Sequence, residues 1–246
     1  MPFALIEHFA ELAARTTRAA DLFAHTEAAA RELGFPLLAL VHGLAFRLPQ
    51  HGLIDLNNFG SWEETFVRRK YYLDDPALLA AQRTNTAFAW SAIRKLVPLG
   101  DRHRHILEDA ARHGLGNGYT LPVGVIGEPH GCCTFATKGP DLPPVANRRA
   151  AALLGAEAFN AARRLHGFPA RSAAVPLLSR RKLECLRYVA IGKTDAEIAI
   201  ILGLKESTVR TYMAMLRKDF DVVSRSQLVA AALRFGFIGY DDAIAP

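Results

Sequence analysis

Thr194-Asp-Ala-Glu-Ile-Ala199-Ile-Ile-Leu-Gly203-Leu-Lys-Glu206-Ser-Thr-Val209-Arg210 is the stretch that decides how the last quarter of the chain folds. Two helices joined by a tight turn need a small residue where they meet and a glycine at the φ > 0 position of the turn. They also need a β-branched residue to pin the second helix to the first. Ala199, Gly203 and Val209 stand at those offsets. Ile198, Ile201 and Leu202 are expected on the buried side of the first helix, and Met213 and Leu216 on that of the second. Thr194 is expected to cap the first helix, with Glu197 three residues on completing a capping box. The second helix then presents Ser207, Thr208, Arg210, Thr211, Arg217 and Lys218. Arg210 sits near its N-terminal end, where a recognition helix touches base edges.

Working outward, short apolar-periodic runs at about 179–191, 195–202, 206–220 and 225–235 predict four helices in a small bundle. Between Leu177 and Tyr240 there are eleven Lys/Arg against six Asp/Glu, so this segment carries most of the chain's net charge of +6. A basic module attached to a near-neutral body suits a polyanionic partner, double-stranded DNA in the first place. Gly192-Lys193-Thr194 resembles the end of a phosphate-binding loop. The position five before Gly192 is Arg187, not glycine, so a turn into a helix N-terminus facing a DNA phosphate is the better reading of Lys193 and Thr194. A small bundle with a glycine turn and no nucleic-acid role is the alternative that the basic surplus disfavours.

Gly167-Phe-Pro-Ala-Arg-Ser-Ala-Ala-Val-Pro176 divides the chain: two prolines and small residues follow a helical pattern over 145–165. Residues 1–166, the linker 167–176 and residues 177–246 are the expected parts. In the first part, 37–48 and 118–137 read as strands, and segments around 3–33, 62–70, 75–82, 101–113 and 145–165 as helices. Met1 to Phe35 alternates apolar and charged residues as an amphipathic helix and lacks the continuous apolar core of a signal peptide. With no apolar run near the ~18 residues of a membrane span, a cytoplasmic protein with no membrane partner is expected.

Three cysteines, two of them adjacent (Cys132, Cys133), make no disulfide framework and no zinc spacing. Neither a metal nor a cofactor is expected. No serine lies in a Gly-x-Ser-x-Gly turn, and His103 and His105, set among Arg102 and Arg104, read as a solvated helix face. No catalytic residue is assigned, and a lactone-hydrolysing enzyme is the disfavoured rival.

The tail from Leu178 through Ala199, with Glu206-Ser-Thr-Val-Arg210, resembles the LuxR-type helix-turn-helix. Upstream, Trp62, Asp75-Pro76, Trp90 and Gly118 stand at the spacings of the acyl-homoserine-lactone-binding domain of quorum-sensing LuxR regulators. The resemblance implies an α+β chain: an N-terminal α/β/α sandwich around an antiparallel sheet, plus a C-terminal all-α helix-turn-helix bundle. It implies a homodimer on a two-fold symmetric DNA site, with a small-molecule autoinducer and RNA polymerase as partners. It further implies that Trp62 donates to the lactone carbonyl, that Asp75 accepts from the ligand amide, and that Thr134 meets the acyl carbonyl region.

Without the resemblance, Trp62 and Trp90 read as core packing and Asp75 as an N-cap ahead of Pro76. The chain departs from the family at two of the ligand-contacting positions that the resemblance implies, where Asn58 and Phe66 replace usual tyrosines four residues either side of Trp62; the Asn58 amide can still donate to the ligand, whereas Phe66 cannot. That points to an unusual acyl group, branched or aryl, or to an orphan regulator answering a non-lactone signal or none. In the tail, Lys182 replaces the usual glutamate, which removes the acid that would complete a capping box with Ser179. Tyr212 replaces the usual histidine of the recognition helix.

Overall fold

The computed structural model describes residues 2–43, 54–125, 128, 130–168 and 176–244. The chain forms two compact units, one on residues 1–125 and 129–170, the other built mainly of residues 171–246. Of the expected linker 167–176, residues 169–175 lie outside the described residues, as does the 44–48 end of the first expected strand.

The first unit is built on a five-stranded antiparallel sheet of order β2-β1-β5-β4-β3. Its strands are β1 (Leu37–His42), β2 (Ile54–Asn57), β3 (Phe88–Ala89), β4 (Asn117–Val123) and β5 (Gly131–Thr137). Alternation along β1 divides the unit, because successive side chains point to opposite faces. Leu38 and Leu40, with Cys133 and Phe135 of β5, pack against α1 (Pro2–Arg15), α2 (Ala19–Glu32) and α7 (Val145–Leu165). Ala39 and Val41, with Cys132, pack against Phe59, Leu78 and Ala81 on the other side. That second layer holds α3 (Ser61–Arg68), α4 (Pro76–Ala81), α5 (Ile93–Leu96) and α6 (Asp101–Arg112). The result is the expected α/β/α sandwich. All three cysteines are free and buried.

The single helix expected over 3–33 is two helices. Thr16 folds its hydroxyl back onto the Leu12 carbonyl at 2.8 Å, and Arg18 is extended (φ −123, ψ 135). The carbonyls left at the end of α1 are capped from α7, where Arg164 Nη2 donates to Ala13 O at 2.7 Å and Thr16 O at 3.1 Å. That partner lies some 150 residues away, which is why local periodicity ran straight through the break.

The second unit comprises α8 (Arg180–Ala190), α9 (Asp195–Leu202), α10 (Glu206–Asp219), α11 (Arg225–Arg234) and a short α12 (Tyr240–Ile244) that the sequence reading did not foresee. Cys185, Leu186, Val189, Ile198, Ala199, Val209, Met213, Leu216 and Leu228 form its core. Gly203 sits in the left-handed region (φ 64, ψ 38) and closes α9. One expected core residue is corrected: Ile201 is 45% exposed, because α9 ends one residue later and offers α10 only Ile198, Ala199 and Leu202. Lys182, which cannot complete a capping box with Ser179, reaches Asp219 at 2.6 Å across to the end of α10.

Candidate ligand cavity and nucleic-acid face

Between the sheet and the second helical layer lies a cavity of about 740 Å³, the space at its mouth included. Trp62, Phe66, Asp75, Trp90 and Thr134 all line it, so five residues spread over 73 positions of sequence converge on one space.

Trp62, in the first turn of α3, is 4% exposed. Its indole packs between Phe66 (5.8 Å between ring centroids), Tyr71 (5.6 Å) and His113 (5.4 Å). His113 is held in turn, Nδ1 2.8 Å from Asp109 O and Nε2 3.2 Å from Thr65 Oγ1. Asp109 beneath it is buried, which pushes its carboxyl up. The hydrogen bond from Tyr71 and the charges of Arg69, His113 and His105 outweigh that and leave it below the usual carboxylate range. The Trp62 orientation therefore rests on a satisfied polar cluster. Its own Nε1 makes no hydrogen bond among the described residues.

Asp75 caps α4, with one carboxylate oxygen accepting from Ala77 N at 2.8 Å and Leu78 N at 2.9 Å. The N-cap reading is correct, and it leaves the second oxygen without a partner among the described residues. Burial pushes the carboxyl up to about 6, against the two backbone N–H groups and the charge of His103.

Trp90 lies flat on Gly118 of β4: a Cβ at that position would sit 2.3 Å from Trp90 Cε2. Its Nε1 donates to Thr120 Oγ1 at 3.1 Å, and Thr120 shares a hydrogen bond of 3.0 Å with Thr134. The indole N–H of Trp90 is thus spent on the sheet, and through Thr120 it orients the Thr134 hydroxyl. The chain Trp90–Thr120–Thr134 was not legible in the sequence, because Thr120 carries no signal until β4 and β5 are in register.

Asn58 is corrected. Its Oδ1 accepts from Leu38 N at 2.8 Å, and its Nδ2 donates to Glu27 at 2.8 Å and Pro36 O at 3.1 Å. That amide ties the edge of β1 to α2 and takes no part in the lining. The neighbours Asn57 and Phe59 line the cavity instead, with Asp55, Glu63, Val67, Leu78 and Cys132. Period-two alternation over Ile54-Asp-Leu-Asn57 was the available signal: it sends Asp55 and Asn57 to one face and Ile54 and Leu56 to the other core. Four residues were too short a run to stand out as a strand. Burial also pushes the Cys132 thiol up to about 12, so it lines the cavity as an apolar wall rather than as a nucleophile.

In the second unit, Thr194 forms the expected capping box, its hydroxyl accepting from Glu197 N at 3.3 Å while Glu197 Oε2 accepts from Thr194 N at 2.7 Å. Arg225 ties this corner together, bonding Asp195 at 2.7 Å and the Lys193 carbonyl. On α10, Ser207, Arg210, Thr211 and Lys218 are exposed, and Thr208 and Arg217 half-buried. Arg210 is held along the helix by Glu206 at 2.5 Å, and Thr211 donates to Ser207 O at 2.9 Å. The predicted face therefore carries cations and hydroxyls over a fixed apolar underside. Among the described residues no helix is long and apolar enough to cross a membrane, and no His/Cys/Asp/Glu group could hold a metal.

Comparison with known proteins supplies the frame for both sites. Residues 18–164 match the family described as autoinducer binding domain, and residues 176–232 match that of bacterial regulatory proteins, luxR family. The chain is 29% identical over 196 residues to the transcriptional activator protein TraR of Rhizobium radiobacter, covering 78% of this chain and 83% of that one. It is 28% identical over 224 residues to the quorum-sensing regulator RhlR of Pseudomonas aeruginosa, covering 88% and 89%. The fold is similar to that of Escherichia coli SdiA, with TM-score 0.64, 21% identity, and 96% and 99% of the chains covered.

Proposed function

The chain belongs to the LuxR family of quorum-sensing transcription regulators, with an autoinducer-binding domain and a helix-turn-helix DNA-binding domain, and we propose that its ligand is an acyl-homoserine lactone held by Trp62, Asp75 and Thr134. One observation supports this above others. A donor without an acceptor (Trp62 Nε1) and a carboxylate with one oxygen unspent (Asp75) line the same mostly apolar cavity. A ligand that displaces solvent from these two groups must pair them or leave them unsatisfied at a cost. A lactone carbonyl answers the first and an amide N–H the second, while the acyl chain takes the apolar wall. Thr134, oriented from behind by Thr120, receives the acyl carbonyl. Phe66, lacking a hydroxyl, leaves a wider apolar zone beside Trp62 and suits a branched or aryl acyl group.

Residues 1–166 then form the sensing domain and 177–246 the DNA-binding domain, joined by 167–176. The regulator acts as a homodimer on a two-fold symmetric DNA site, since a two-fold protein reads a palindrome. Arg210, Ser207, Thr208 and Thr211 read base edges, and Lys193, Thr194, Arg217 and Lys218 hold phosphates. Ligand filling the cavity stabilises the folded state and raises the population competent for DNA.

The test is a thermal-shift titration of the purified protein with straight-chain, branched and aryl acyl-homoserine lactones, repeated on Trp62→Phe. Stabilisation by at least one lactone, weakened in the variant by about 1–3 kcal/mol for the lost hydrogen bond, supports the reading. No stabilisation by any of them leaves an orphan regulator.

A further inference from the structure

Three carboxylates line the cavity, those of Asp55, Glu63 and Asp75, and no lysine or arginine is among its described lining residues. Glu63 lies on α3, and strand register locates the other that the lactone headgroup does not use, Asp55. Asn57, Ala39 and Thr134 occupy one row across β2, β1 and β5, and Asp55, Val41 and Cys132 the neighbouring row. Adjacent strands lie ~4.8 Å apart, so Asn57 and Asp55 stand roughly 10 Å across the sheet from Thr134 and Cys132. The floor between them is the apolar pair Ala39 and Val41.

At the β2 end, Asp55 Oδ1 accepts from Asn57 Nδ2 at 2.9 Å, and Asn57 Oδ1 accepts from Phe59 N at 3.2 Å. The second oxygen of Asp55 has no partner among the described residues. A methyl-ended chain reaching this point would strip water from a half-buried carboxylate and return nothing, which is unfavourable. A hydroxyl there restores the lost hydrogen bond.

We propose that the ligand of this cavity carries a hydrogen-bond donor at the far end of its acyl group, received by Asp55 with Asn57 beside it. This rests on the reading that Trp62, Asp75 and Thr134 hold the head of the ligand. The same arrangement disfavours an anionic end, which would face carboxylates with no lysine or arginine among the described lining residues to offset them.

Calorimetric titration of the full-length protein with octanoyl-homoserine lactone and its ω-hydroxy and ω-carboxy analogues tests the proposal. The ω-hydroxy compound is expected to bind about ten- to a hundredfold tighter than the plain one, the worth of one hydrogen bond to a charged group, and the ω-carboxy compound weakest. Asp55→Leu is expected to reverse the first preference. Asp55→Asn, which keeps the shape and still offers an acceptor, is expected to reduce it, and serves if the leucine variant does not fold. Equal binding of the plain and ω-hydroxy lactones to wild type, or an unchanged ratio in the Asp55 variants, overturns the proposal while the lactone reading stands. Binding of none of the three by wild type, together with no stabilisation by any branched or aryl acyl-homoserine lactone, overturns both; binding of a branched or aryl lactone alone overturns the proposal and leaves the lactone reading in place.

Discussion

The indole of Trp90 rests on Gly118 so closely that a Cβ on that residue would lie 2.3 Å from Cε2. Two residues 28 apart in sequence therefore act as one part, a flat ring on a bare backbone, with the ring's N–H turned onto Thr120. Overlap with the rigid core of an indole is not relieved by a small shift, so Gly118→Ala is expected to displace Trp90. The cost expected is about 1–3 kcal/mol for an overpacked site, with ligand affinity falling alongside. Trp90→Phe in the same background would relieve the clash only in part and lose the Thr120 bond. Denaturant unfolding of the two variants checks this, and an unchanged midpoint for Gly118→Ala would show that the ring moves freely.

Asp75 is expected to make the ligand response depend on pH. Its folded carboxyl is raised to about 6 from an ordinary 3.8, so the contribution to stability belongs to the protonated form. It is fully present below the unfolded value and lost as pH rises through about 6. A ligand amide donating to the carboxylate favours the ionised form and offsets that loss. Ligand-induced stabilisation is therefore expected to grow between pH about 4 and 7 and then to level off. Asp75→Asn should flatten the profile. A wild-type thermal shift that does not vary with pH would remove Asp75 from the ligand's contacts.

Asn58→Ala separates a clamp from a ligand contact. The side chain makes three hydrogen bonds, to Leu38 N, Glu27 and Pro36 O. Losing them leaves a strand N–H without its partner, at a cost of about 1–3 kcal/mol. Stability should drop, and the ranking of lactones by affinity should stay as in wild type. The opposite outcome, an unchanged melting temperature with altered ligand preference, would return Asn58 to the cavity.

Arg210 lies exposed near the start of α10, in an i, i+4 pair with Glu206. Such a surface pair contributes little on its own, about 0.3–0.5 kcal/mol, so Arg210 is free to exchange Glu206 for a base. Arg210→Ala is expected to weaken the cognate site by about 1–3 kcal/mol and to relax sequence preference. Thr194→Ala, at the corner proposed to hold a phosphate, should weaken all sites alike. Fluorescence anisotropy at fixed salt on cognate and scrambled duplexes measures both, and equal cognate binding by wild type and Arg210→Ala would end the assignment.

The helix-turn-helix was legible from its residues because what determines it is local. Thr194 and Glu197 close a capping box within one turn, Gly203 takes the left-handed turn, and Ala199 and Val209 meet across it, all within sixteen residues. The sensor's Trp62, Asp75, Trp90 and Thr134 were legible only through resemblance, and the fold alone accounts for why they meet. Tertiary structure decided the rest. α1 stops at Arg15 because Arg164 of α7 caps it, and Asn57 rather than Asn58 faces the cavity because of strand register. In a strand, a shift of one residue moves a side chain to the opposite face. What pairs with β1, and in which register, is settled by packing between segments far apart in sequence, which no local pattern in the residues of β2 can carry.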